Sequence, residues 1–258
     1  MKRQAPPAVP LLTVLILAVL AGCSHAPQRD GAPRGEFDPS RVKHVQPRPE
    51  PLSIKGNPPV YTVAGKSYRT LASSRGYRER GIASWYGTKF HRRLTSNGER
   101  YDLYAMTAAH KTLPLPSYVR VTNLENGRSV IVRVNDRGPF HEDRIIDLSY
   151  AAAHLLGFAE QGTAPVEVVA IDPPGHGTAD QPSGRPIYLQ AGAFSEHDNA
   201  RRLQQRLSRE LDTPVRIEHP RRGLYRVRIG PLATLAEARR LSEHLETLGI
   251  STPLMVHD

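Results

Sequence analysis

The chain has 258 residues, 35 basic against 25 acidic side chains, a formal net charge of +10 and one cysteine. A single thiol excludes an internal disulfide framework, and the length suits two small domains that each stand on an apolar core. Nor does the charge form a nucleic-acid face: residues 23–80 hold eleven bases and five acids, residues 81–172 ten of each, and residues 184–258 twelve arginines against nine acids.

Lys2 and Arg3 precede the apolar run 11–20, whose ten residues are about half of what a bilayer-spanning helix needs, so it reads as a signal. The run closes in Leu20-Ala21-Gly22-Cys23, which resembles the lipobox of bacterial lipoproteins. That resemblance implies a signal peptide over 1–22 and a lipidated Cys23, whose acyl chains anchor the protein to a membrane. Ser24 resembles the outer-membrane sorting pattern, with the protein facing the periplasm. Residues 23–79 are rich in proline, arginine and glycine and read as a flexible tether, within which Pro59–Val63 can pair only weakly.

From 80 to 172 short β-like runs recur at 82–86, 104–108, 118–121, 129–134 and 166–170, and they predict an all-β domain. Asn126-Gly127 predicts a tight hairpin between the runs 118–124 and 129–134. A short helix is expected over 149–156, capped by Ser149 or Asp147 and stopped at Gly157. Six or so strands and one helix suit a small closed barrel.

Residues 173–183 read as a flexible linker. Beyond it, strand 187–190 leads to a helix with Ala200, Leu203, Leu207 and Leu211 on one face. Strands 215–218 and 224–229 follow. A second helix opens with Thr234 and Glu237 in capping-box register, turns Ala238, Leu241, Leu245 and Leu248 inward and ends at Gly249, and strand 252–256 closes the series. The order βαββαβ predicts an α+β ferredoxin-like sheet over 184–258.

In the barrel the chemistry-bearing segments are 81–87, 94–99, 105–110 and 134–140. Asp136 follows an alternating strand and precedes Arg137-Gly138-Pro139, so it stands where a strand ends and a turn exposes its side chain. Glycosidic cleavage needs a carboxylic acid at the leaving oxygen, and hydrolysis needs a second carboxylate. A muramic acid residue carries its own C6 hydroxyl, so for it one residue acting as acid and then base suffices. By residue type alone, Asp136 is equally a turn-former, Glu99 a loop carboxylate and His110 a structural histidine. Trp85, Tyr86, Tyr101, Tyr104 and Phe140 either line a sugar groove or fill a core. Ser96 has no nucleophile-elbow motif around it, and His91, His110 and His141 lack paired metal spacing, so no metal and no cofactor are expected.

Together these four segments resemble the double-psi β-barrel of the rare lipoprotein A family, related in fold to expansins. The resemblance implies lytic transglycosylase chemistry, in which the C6 hydroxyl attacks C1 and leaves a 1,6-anhydro sugar. It carries the active residues onto Glu99, His110 and Asp136, with Asp136 as acid/base. Glu99 and His110 then position the sugar, tune the acid or steady positive charge at C1. One position departs: the family commonly has glycine after the histidine matching His91, and Arg92 followed by Arg93 stands here.

The segments 188–194, 199–200 and 224–231 resemble a SPOR domain, which implies binding to peptide-free glycan strands at division septa. Gln190, Tyr225, Arg226 and Arg228 are the candidate contacts. Alternation puts Arg226 and Arg228 on one face, with Tyr225, Val227 and Ile229 on the other. RNA-binding sheets share this topology, but paired exposed aromatics are missing. The expected protein is a lipid-anchored envelope enzyme that cleaves peptidoglycan glycan strands, prefers peptide-free ones and is held at the septum. The alternative is a non-catalytic, expansin-like binder.

Overall fold

The computed structural model describes residues 30–219, 223–250 and 253–257, so the expected signal peptide and Cys23 lie outside the described residues. A hairpin comes first, pairing β1 (Val60–Val63) with β2 (Lys66–Arg69). Ala64 and Gly65 both take positive φ at its turn, which matches the right-handed twist of the strands.

Six strands then close on themselves: β3 (Arg78–Tyr86), β4 (Thr107–His110), β5 (Ser117–Asn123), β6 (Ser129–Asp136), β7 (Arg144–Ser149) and β8 (Thr163–Ile171). Their order round the barrel is β3-β7-β4-β6-β5-β8, with β3/β7 and β4/β6 parallel and the other pairs antiparallel. Val119, Val121, Val132, Val134, Ile146, Leu148, Val166 and Val168 alternate inward and are fully buried. Each contributes about 1.5–3 kcal/mol of burial relative to exposure. Between β7 and β8 lies α1 (Tyr150–Leu156), capped by the Ser149 hydroxyl accepting from Ala152 N and ended by Gly157 in the left-handed region, as the sequence predicts.

In the hairpin β5–β6 only Gly127 takes a positive φ. Asn126 stays in an ordinary region, accepting from Arg128 N and donating to Leu156 O, so the turn is wider than a two-residue Asn-Gly turn.

The second domain runs β9 (Pro182–Phe194), α2 (His197–Glu210), β10 (Val215–Glu218), β11 (Tyr225–Thr234), α3 (Leu235–Thr247) and β12 (Leu254–His257). The sheet order β10-β11-β9-β12, antiparallel throughout, is the ferredoxin-like arrangement. Thr234 Oγ1 accepts from Glu237 N, and the Glu237 carboxylate reaches back to Ala233 N, a capping box offset by one residue.

Two flexible segments expected from composition are packed chain. From residue 30 onward the supposed tether lies on both domains: Val42 joins the barrel core, and Asn57 is wholly buried. Asn57 donates through Nδ2 to Ser53 O and Leu115 O and accepts from Leu115 N, so one polar side chain satisfies backbone that proline-rich sequence leaves unpaired. The supposed linker is seated too. His176 is buried, Ala179 belongs to the second core, and β9 already begins at Pro182. The second domain meets this pre-barrel segment at α3, where buried Arg239 donates to Asn57 O at 3.3 Å and Leu71 O at 3.2 Å.

Candidate active site

Asp136 owes its orientation to a β-bulge. Val130, Val132 and Val134 of β6 face the core, and strict alternation would send Asp136 after them. Instead Ala108 pairs with Val134 while Ala109 pairs with Asp136, so Asn135 is an extra residue. Paired residues share a face, and Asp136 therefore joins Ala109 outside the barrel. There its Oδ1 accepts three bonds: Ser96 N at 2.8 Å, Ser96 Oγ at 2.6 Å and Arg137 N at 2.7 Å.

Glu99, three residues after Ser96, has a network of its own. Its carboxylate receives Arg133 Nη1 at 2.9 and 2.8 Å, Asn135 Nδ2 at 2.8 Å and Asn97 Nδ2 at 3.0 Å. Burial alone would push its pKa up, but the Arg133 guanidinium and the Asn135 amide outweigh burial and hold it below the usual value. Arg133 also grips Glu50 of the pre-barrel segment through Nη2 at 2.8 Å.

His110 stands apart from these two. It pairs with Ile146 on the interior face of β4 and is 2% exposed. Nδ1 accepts from Thr112 N at 3.1 Å and Leu113 N at 3.0 Å, which leaves the proton on Nε2, 2.8 Å from the Tyr77 hydroxyl. Burial, with help from the Arg137 and Lys111 charges, drives its pKa down to about 3. The imidazole is thus neutral and fully bonded. It braces the turn whose carbonyls, His110 O and Leu113 O, accept from Arg137 Nη1 at 3.1 and 2.5 Å.

Arg137 was invisible in the sequence as more than a turn residue. Its other donors reach Gly56 O at 2.7 Å and Asn57 Oδ1 at 2.9 Å, so one guanidinium ties the pre-barrel segment and the 110–113 turn to the residue after Asp136. Ser96, Arg137 and Phe140 line a cleft of about 1360 Å³ whose other walls are Lys55, Tyr61 and β12.

The expected aromatics divide. Phe140, 43% exposed, stands on the cleft wall beside Tyr61 and Tyr68. Trp85 instead packs against the core and donates Nε1 to Ala159 O. Tyr86 and Tyr101, 8% and 2% exposed, stack on each other at 3.9 Å in a small core, with the Tyr101 hydroxyl donating to Tyr86 O. With both faces covered, neither of these rings can serve as a sugar platform. Tyr104 is exposed and stacks on Phe37 at 6.1 Å, a residue of the supposed tether. Arg92 sits at φ 65°, which explains the glycine usual there.

In the second domain Val227 and Ile229 are fully buried, so the opposite face of β11 turns outward as the alternation predicts. Gln190, Arg228 and Arg216 form one row across that outer face. Arg228 pairs with Glu218 at 2.7 Å, and Arg226 stands opposite Glu218. Tyr225 is half-buried against the core and stacks on His219 at 4.0 Å.

Comparison with known proteins adds to this geometry. Residues 78–168 match the family model described as lytic transglycolase, and residues 183–254 match that of the SPOR domain. The endolytic peptidoglycan transglycosylase RlpA of Pseudomonas aeruginosa strain UCBPP-PA14 is 43% identical over 291 residues, covering 89% of this chain and 85% of that protein. The protein of the same description from Vibrio cholerae serotype O1 is 44% identical over 246 residues, covering 92% and 93%. Among solved structures, the Streptomyces papain inhibitor aligns at 22% identity and TM-score 0.32, over 38% of this chain and 96% of that one. An apo expansin from Clavibacter michiganensis aligns at 17% identity and TM-score 0.31, over 61% and 80%.

Proposed function

Because the chain belongs to the RlpA family of endolytic peptidoglycan transglycosylases, we propose that Asp136 is the carboxylate at its reacting centre. The protein is a lytic transglycosylase of the cell envelope that acts on peptidoglycan, and its SPOR domain binds that polymer. The non-catalytic, expansin-like alternative is not favoured. Lytic cleavage joins the C6 oxygen of a muramic acid residue to its own C1 and breaks the bond from C1 to the next sugar. A base must take the C6 proton, and the leaving oxygen must gain one.

The observation that carries the assignment is the convergence of Ser96 N, Ser96 Oγ and Arg137 N on Oδ1. It fixes the carboxylate and leaves Oδ2 for substrate, beside a cleft that Ser96 and Arg137 line. Glu99, held as an anion by Arg133, steadies the positive charge that develops at C1. His110 contributes from the interior by holding the turn that positions Arg137. Phe140 and Tyr61 offer apolar contact to the sugar.

Cys23 carries the lipid anchor, which holds the protein at the outer membrane facing the periplasm. The row of Gln190, Arg216 and Arg228, with Arg226, meets glycan strands freed of their peptides, which directs the enzyme to the septum.

The test incubates protein from Arg29 onward, beside an Asp136→Asn variant, with amidase-treated peptidoglycan, and reads the products by mass spectrometry. Anhydro-ended fragments from wild type alone support the assignment. Fragments from both proteins would remove Asp136 from the chemistry, and reducing ends would mean hydrolysis.

A further inference from the structure

A second carboxyl group lies one strand away from Asp136. Ser84 of β3 pairs with Asp147 of β7, Asp147 with Ala109 of β4, and Ala109 with Asp136 of β6. Paired residues share a face, so this row crosses four strands on the outside of the barrel, with the two carboxylates flanking the methyl group of Ala109. Two inter-strand steps put their Cα atoms about 10 Å apart. Two carboxyl groups that leave room for an attacking group between them stand roughly 6.5–9.5 Å apart.

Asp147 is half-committed. Its Oδ2 lies 3.4 Å from Arg144 Nη2, whereas its Oδ1 is buried with no hydrogen-bond partner among the described residues. A buried oxygen that receives no hydrogen bond disfavours the charged carboxylate and so favours the neutral acid. The Tyr86 hydroxyl, on a residue 8% exposed, feels the charges of both Asp136 and Asp147 and, among the described residues, finds no partner but Thr107.

We propose that Asp147 is the proton donor to the leaving glycosidic oxygen, while Asp136 takes the proton of the C6 hydroxyl. The assignment rests on the transglycosylase reading. As the bond from C1 to oxygen breaks, the Asp147 proton passes to that oxygen, and the C6 oxygen bonds to C1 and releases its own proton to Asp136. Two protons change places, none is consumed, and exchange with water restores both groups.

Burial pushes the pKa of Asp147 up to about 6, against the pull of Arg144 on β7, Lys111 after β4 and His141 after β6. Tyr86 faces it from β3. Asp136 meets only donors at Oδ1, which suits the group that accepts a proton.

The experiment follows anhydro-end release from amidase-treated peptidoglycan by the full chain in detergent, as a function of pH. Asp147→Asn is expected to slow release at least about 100-fold, the scale of a lost general acid, while sedimentation with the glycan is unchanged. Wild type should lose rate above about pH 6. Arg144→Gln removes a cation that lowers the Asp147 pKa, so it should move that alkaline limb to higher pH. An Asp147→Asn variant within threefold of wild type, or one that keeps the alkaline limb, overturns the proposal. Should that variant fail to fold, Arg144→Gln decides: a raised limb supports the donor role and an unmoved one overturns it. Absence of anhydro ends from wild type would instead sink the transglycosylase reading itself.

Discussion

Arg137 Nη2 donates to Asn57 Oδ1 at 2.9 Å, so a residue that precedes the barrel by some twenty positions holds the neighbour of Asp136 in place. The same guanidinium reaches Gly56 O, His110 O and Leu113 O. Arg137→Ala removes a donor from all four acceptors, of which Asn57 Oδ1 keeps Leu115 N. At about 1–3 kcal/mol for each buried group left unsatisfied, the expected loss of stability is roughly 3 kcal/mol or more, read from urea unfolding. Arg137→Lys should not rescue it, because an ammonium lacks the planar fork that reaches four acceptors at once. A lysine variant with wild-type stability would show that charge alone suffices.

A barrel cut to the family-model boundary, residues 78–168, loses this support. It lacks Asn57, the Glu50 partner of Arg133 and the Val42 contact with the core. Thermal unfolding of that fragment should fall below that of a fragment starting at Asp30 and ending at the same residue. Equal midpoints would mean that the preceding segment merely rests on the surface.

The pH dependence of folding follows from His110. Its pKa is about 3 in the folded state against 6.5 for the free side chain, so the unfolded chain binds a proton that the folded chain refuses. The stability this contributes is complete above about pH 6.5 and is lost as pH falls toward 3. Urea midpoints should therefore drop between pH 6.5 and 4.5 in wild type, and drop less in His110→Asn, whose amide oxygen can take the place of Nδ1. Parallel profiles for the two proteins would assign the acid sensitivity elsewhere.

Arg92 spends about 1–2 kcal/mol on a left-handed backbone. Glycine at that position relieves the strain but frees the unfolded chain by about 0.5–1 kcal/mol. Arg92→Gly should thus stabilise by roughly 0.5–1 kcal/mol, read from the shift in urea midpoint. A destabilised variant would mean that the exposed arginine makes contacts worth more than its strain.

The ferredoxin-like half was legible because its signals are local: Leu207 and Leu245 repeat at helical spacing, and Thr234 and Glu237 mark a helix start. In the barrel β7 went unread. Ile146 and Leu148 do alternate with Asp147, but Ser149 and Asp147 both suit a helix cap, and the helix absorbed them. The side on which Asp136 emerges depends on one extra residue at Asn135, and a bulge leaves no mark in hydrophobic alternation. Aromatic residue type likewise does not separate Phe140 on the cleft wall from Tyr86 and Tyr101, which cover each other. Proline-rich composition suggested a loose tether because it reports a missing local hydrogen-bond pattern. It says nothing of a distant surface that supplies the partners, as Leu115 does for Asn57.

Arg239 meets the segment that precedes the barrel through the main-chain oxygens of Asn57 and Leu71. Every residue carries such an oxygen, so the side chain at position 71 is free to drift over generations without loosening this joint. What would disturb these two bonds from the acceptor side is a change in backbone path, by insertion or deletion nearby.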